Sequence, residues 1–91
     1  MNKILLYVGA NNTTKVVEVS KMQKVLDKYF MGYTIIACNG RYNGVNEQAV
    51  KVEIFDDKQT FDSIKEIIKS LRIALAQDVI LTDINNQVLF I

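Results

Sequence analysis

Between Ala49 and Leu75 the spacing of apolar residues changes once, from every second position to every third or fourth. No other feature of the sequence constrains the fold as strongly. Val50, Val52 and Ile54 alternate with Lys51 and Glu53, the pattern of a strand, over Ala49 to Phe55, with one buried and one polar face. Asp56 and Asp57 end it, and Thr60 stands where a helix N-cap belongs. Phe61, Ile64, Ile67, Ile68, Leu71 and Leu75 then fall on one stripe of a helix, with Lys65, Glu66, Lys69 and Arg72 turned away. A half-apolar strand followed by a half-apolar helix must bury one against the other, as layered domains do.

The first half of the chain repeats the arrangement. Ile4 to Val8 is a continuous apolar run ended by Gly9, the pattern of a central strand. After a turn-rich stretch, Ser20 and Gln23 have capping-box spacing. Met22, Val25, Leu26, Tyr29 and Phe30 form a helical face, and Gly32 is placed to cap it. Tyr33 to Cys38 is a β-branched and aromatic strand. Asn39 to Gln48, with two glycines and three asparagines, is expected to be the loop of a long hairpin. Val79 to Thr82 reads as a fourth strand, Asn85-Asn86 as a tight turn and Val88 to Ile91 as a short last strand. The order predicts an α+β, ferredoxin-like βαββαβ sandwich: an antiparallel sheet, two helices on one face and a short C-terminal strand. Ninety-one residues make one domain, 1–91. The other sheet face, bearing Lys51, Glu53 and Phe55, is left for solvent, a ligand or a partner subunit.

Composition removes several function classes. The net charge of +1 supplies no field to draw the chain to nucleic acid or an anionic membrane. No histidine is present, which excludes the Ser-His-Asp triad and His-ligated zinc. A single cysteine makes no intramolecular disulfide and suits a reducing compartment. Apolar runs reach only about five residues against the ~20 that cross a bilayer, and the N-terminus has no secretory pattern. The chain is therefore expected in the cytoplasm, of a bacterium or of a phage-infected bacterium, without cofactor, metal or membrane. A domain this small buries only about 60–65% of its unfolded surface. That favours assembly with further copies of itself.

Two loops hold the candidate ligand-binding residues. The first, Asn11, Asn12, Thr13, Thr14 and Lys15, sets amides and hydroxyls beside a cation able to hold an anion. The second supplies Asn39, Arg41, Tyr42, Asn43 and Asn46: amides, a planar cationic fork and a flat aromatic face. Both sets are also ordinary turn chemistry. Leu6-Tyr7-Val8-Gly9-Ala10-Asn11 resembles the first-strand motif of RNA-recognition domains. The strand at Ala49 to Phe55, however, lacks the second motif's glycine and paired aromatics, which argues against nucleic acid. Cys38 is expected in the core or near an edge, and Asp56 and Asp57 as caps. Nothing in the sequence places Glu47 or Glu53 at a pocket. Tyr7, Tyr29, Tyr33 and Tyr42 are too dispersed to read as a stacking platform. No catalytic residue is identified.

Gly40-Arg41-Tyr42-Asn43-Gly44-Val45-Asn46-Glu47, followed by Val50-Lys51-Val52-Glu53-Ile54, resembles the aromatic-x-Gly-x-x-Glu bend of CutA-like proteins. Its position resembles that of the long regulatory loop of PII proteins, in the same superfamily. The chain departs from both groups. Phe55-Asp56-Asp57 is acidic where PII proteins hold nucleotide phosphates, and no histidine or cysteine pair matches CutA-like metal sites. The chain is also like small uncharacterised bacterial and phage proteins that begin with Tyr-Val-Gly-Ala-Asn and carry Gly-Tyr-Thr-Ile after the first helix. The PII-like resemblance implies a homo-oligomer, a trimer above all, with ligands in clefts between subunits. The expected function is non-enzymatic: binding of a small phosphorylated ligand, a nucleotide or cyclic nucleotide, as a sensor or a sequestering sponge. The alternative is a phage-type or bacterial protein–protein interaction or inhibitor module.

Overall fold

The computed structural model describes all 91 residues. Seven elements follow in the order β1 (Asn2–Gly9), α1 (Val19–Leu26), β2 (Thr34–Tyr42), β3 (Val45–Asp56), α2 (Phe61–Ala74), β4 (Leu81–Ile84) and β5 (Gln87–Phe90). The strands form one sheet in the order β2-β3-β1-β4-β5, every neighbouring pair antiparallel. β1 and β2 bracket β3, and β3 and β4 bracket β1, the split β-α-β arrangement that the sequence predicts. β5 extends the edge beyond β4.

One sheet face is dry. Ile4, Leu6 and Val8 of β1 and Val50, Val52 and Ile54 of β3 are buried against Met22 and Leu26 of α1 and Ile64, Ile68 and Leu71 of α2. Thr60 caps α2: its hydroxyl accepts from the Ser63 backbone N–H at 3.1 Å, and Ser63 Oγ accepts from the Thr60 N–H at 3.0 Å. Asp56 also acts as a cap, accepting from the backbone N–H groups of Lys58 and Gln59 at 3.0 and 2.7 Å. Asn85 and Asn86 take the left-handed conformation at the β4–β5 turn, φ 53° and 70°.

Three local expectations change. α1 begins at Val19 behind Glu18, so Ser20 lies inside the helix and makes no cap; Glu18 pairs with Lys21 at 2.6 Å instead. The helix ends at Leu26, and its last turns tighten around the Leu26 carbonyl, which accepts from Tyr29 and Phe30. This carries Phe30 into the core. Gly32 is not in the left-handed region and caps nothing. The largest change is at Asn39 to Gln48, expected as a loop. Only Asn43 and Gly44, φ 51° and 75°, form the turn. β2 and β3 stay paired from Thr34↔Glu53 to Tyr42↔Val45. The reason is the Asn-Gly dipeptide, which closes a two-residue hairpin and lets the strands run to its edge.

Candidate functional site

Residues directly paired across antiparallel strands share a face, so the register defines what lies opposite the helices. One row crosses all five strands: Ile36, Lys51, Tyr7, Leu81 and Phe90. The next row is Thr34, Glu53, Leu5, Asp83 and Val88. Tyr7, Ile36, Phe55, Val88 and Phe90 are large apolar side chains left exposed on this one face. Nothing in the chain covers it.

At the end of this face nearest the hairpin tip is a cleft of about 400 Å³. Tyr7, Leu81 and Phe90 come from the sheet, Tyr42 and Glu47 from the hairpin, and Gln77 and Val79 from the α2–β4 connection. The absence of a side chain at Gly9 lets the hairpin approach. A Cβ there would lie 3.2 Å from Glu47 Oε1, so the carboxylate rests against bare backbone at the end of β1. A cavity of about 410 Å³ continues the cleft past Gln77 and Asp78 to Asn12. A third, of about 330 Å³, lies between the β1–α1 loop and the hairpin and is lined by Asn11, Asn12, Lys15, Asn46, Glu47 and Gln48. Glu47 belongs to all three. Its carboxylate is in no ion pair; the two pairs present, Lys21–Glu18 and Lys65–Asp62, lie elsewhere. The largest cavity, about 460 Å³, lies between Val17–Val19 and the β2–β3 strands. It has no charged lining residue to orient a ligand.

The structure divides the candidate residues into roles. Asn11 organises its own loop: Oδ1 accepts from the N–H groups of Thr13 and Thr14 at 2.8 and 3.0 Å. Lys15 takes a left-handed φ of 64° in that loop. Asn11, Asn12 and Lys15 line the third cavity, whereas Thr13 and Thr14 line none. Asn39, Arg41 and Tyr42 line the cleft on the sheet face. Arg41 Nη1 donates to Asn46 Oδ1 at 2.7 Å, across a paired position of the hairpin. Asn43 is the turn residue and lines no cavity. The two loops thus meet around Glu47, a residue that the sequence alone does not place at any pocket. Tyr7 and Tyr42, dispersed in sequence, share one cleft with Phe90. Gln77, Val79 and Leu81 also line it, without any motif to announce them. Cys38 is an exposed residue of edge strand β2, the near-edge one of its two expected placements.

The frame is a ferredoxin-like α+β sandwich with a fifth strand, and the site is a cleft at one end of its open sheet face. No protein-family model matches the sequence, and no curated protein is significantly similar to it. Among solved structures it is similar to a phage SAM lyase in complex with S-methyl-5′-thioadenosine, at a TM-score of 0.70 and 16% identity over 99% of this chain and 88% of that one. The apo state of phage SAM lyase gives a TM-score of 0.74 at 16% identity, over 99% and 87%. A DUF3240-family protein from Shewanella baltica OS155 gives 0.63 at 12% identity, over 91% and 86%. Identities this low show a shared fold. They agree with the resemblance to small phage and bacterial proteins; none carries the PII or CutA name. They also correct one expectation. The absence of histidine and of any identified catalytic residue leads to the expectation of a non-enzymatic protein. An enzyme built on the same frame overturns that argument.

Proposed function

We propose that this protein is a lyase acting on S-adenosylmethionine (SAM) or a closely related sulfonium nucleoside, with its site in the cleft around Glu47. The observation that carries the reading is the joining of three aromatic residues, Tyr7, Tyr42 and Phe90, to an unpaired carboxylate in one cleft. Aromatic faces suit a purine and attract a cation, and a carboxylate adds to that attraction. A sulfonium nucleoside presents both features in one molecule. The nucleoside class expected from the sequence is kept, but the phosphate is not: the group at the centre of the cleft is acidic.

The chemistry needs nothing that the chain lacks. The carboxylate of SAM can attack its own γ-carbon. A C–O bond forms, the C–S bond breaks with its electron pair going to sulfur, and a five-membered lactone and neutral methylthioadenosine result. No proton moves and no oxidant enters. An anion and a cation become neutral, a change favoured to the extent that bound substrate and a second copy on the open face exclude water from the cleft. The protein's part is to fold the substrate so that carboxylate and γ-carbon meet.

We also take the protein to act as a homo-oligomer, because the exposed apolar side chains gathered on the open face suit an interface; the preference for a trimer comes from the PII-like resemblance alone. A second copy packed on the open face would add walls to the cleft. The exposed Cys38 thiol fits a reducing cytoplasm. The test is incubation of the purified protein with SAM, followed by chromatography for methylthioadenosine and the lactone. Formation of both above a protein-free control is the expected result. Absence of product, together with no rise in melting temperature on adding SAM or methylthioadenosine, would refute the reading.

A further inference from the structure

The third cavity has a composition unlike the aromatic cleft. It brings one cation, Lys15, and one anion, Glu47, together with the carboxamides of Asn12 and Gln48. These four side chains make no ion pair or side-chain hydrogen bond within the protein, whereas the neighbouring Asn11 and Asn46 are engaged with Thr13, Thr14 and Arg41. Opposite charges in one cavity that do not meet each other are complementary to a zwitterion. Lys15 is also held there in a left-handed conformation by a loop that Asn11 ties together, a backbone cost that functional sites commonly carry.

The cavities adjoin one another in order. The polar cavity shares Ala10, Asn12 and Glu47 with the middle one, which shares Tyr42, Glu47 and Phe90 with the aromatic cleft. We infer that the polar cavity is the subsite for an α-amino-acid head group, with Lys15 holding its carboxylate and the oxygens of Asn12, Gln48 and Glu47 receiving its ammonium. This rests on the sulfonium reading above and deepens it. The purine lies against Tyr7, Tyr42 and Phe90, the sulfonium passes Glu47 at the junction, and the amino-acid chain reaches Lys15. Lys15 needs to engage only one carboxylate oxygen, which leaves the other to react. The subsite then separates substrate from product, because methylthioadenosine has no amino-acid chain and uses the aromatic end alone.

The experiment measures binding of SAM, decarboxylated SAM and methylthioadenosine by titration calorimetry, to the natural protein and to Lys15→Met and Asn12→Ala. Methionine keeps the stem of lysine and removes its charge. Lys15→Met is expected to weaken SAM about tenfold, a modest figure because the lysine is exposed. It is expected to leave methylthioadenosine and decarboxylated SAM unchanged. Asn12→Ala is expected to weaken SAM and decarboxylated SAM alike, because both carry the ammonium. If Lys15→Met weakens all three ligands equally, or none of them, the subsite is refuted while the aromatic cleft stands. If the natural protein binds neither SAM nor methylthioadenosine, the sulfonium reading fails and the subsite falls with it.

Discussion

Replacing Glu47 with glutamine removes a charge and almost no volume, so it isolates the electrostatic part of the site. A sulfonium and a carboxylate about 5 Å apart attract by roughly 3 kcal/mol at an effective dielectric constant of about 20. Glu47 is exposed on the hairpin, and solvent screening reduces that to about 1–1.5 kcal/mol. The expected result is a loss of about tenfold in SAM affinity. Methylthioadenosine is neutral at sulfur, so its affinity should not change. The close approach of the side chain to Gly9 survives, since the amide keeps an atom where Oε1 lies 3.2 Å from the Cβ position. The melting temperature should also hold, because Glu47 makes no ion pair. Titration calorimetry at low and high ionic strength is the assay, and the difference between SAM and methylthioadenosine should shrink as salt rises. Equal losses for both ligands would mean that Glu47 shapes the cleft and does not act by charge. No loss for either would mean that it faces no ligand at all.

Other expectations are independent of this one. Leu71→Ala, at a fully buried position of α2, should destabilise the fold by about 2–5 kcal/mol in urea unfolding; a change below about 0.5 kcal/mol would contradict the packing. Val88→Lys places a charge on the open face beside Asp83, at a side chain 60% exposed. Light scattering should show it dissociating an assembly that the natural chain forms, and a natural chain that is monomeric at micromolar concentration refutes the interface. Point substitution is the right tool, because Leu89 and Ile91 pack against the core and Ile91 pairs with Ile80; deleting Val88 to Ile91 would damage the fold itself. Tyr33 is partly buried and donates to Asp27 Oδ1 at 2.6 Å. Desolvation first, then that bond and the charge of Asp27, push its pKa from 10.0 to about 12. The folded state therefore keeps a proton that the unfolded state loses, so the stabilisation is whole below pH 10 and is lost as the pH rises towards 12. Tyr33→Phe should flatten the fall in melting temperature across that range.

The fold was legible where a pattern is local. The alternation at Val50, Val52 and Ile54 and the stripe from Phe61 to Leu75 each state which face is buried, and the structure buries those faces. Thr60 and Asn85-Asn86 carry their own signals, a hydroxyl three residues before a serine N–H and side chains that tolerate positive φ. Local pattern misled where tertiary context decided. Ser20 and Gln23 have the right spacing for a cap, yet packing of Val19 and Met22 starts the helix two residues earlier. Gly32 has the right identity for a C-cap, yet burial of Phe30 ends the helix in tighter turns before that glycine is reached.

The site was less legible because register assembles it. Counting by two back from Val50, with the turn confined to Asn43-Gly44, puts Glu47 and Ala49 on the face opposite the core. That signal lay in the sequence, but treating Asn39 to Gln48 as a loop erased the alternation that carries it. The meeting of Tyr7 with Phe90 is different in kind: it depends on β4 standing between β1 and β5 with Leu81 paired to both, and no local pattern encodes that order. The inference from missing histidine to missing activity failed for a further reason. It assumed that catalysis here means moving a proton. On the proposed reading the substrate, SAM, carries its own leaving group and, in its carboxylate, its own nucleophile, so the groups that would matter are those that hold its chain in a bend: aromatic faces at one end, Lys15 at the other and Glu47 between. Each is an ordinary residue in the linear sequence, and the hairpin, closed on two residues and resting on Gly9, sets the aromatic cleft and the polar cavity of Lys15 side by side, with Glu47 lining both.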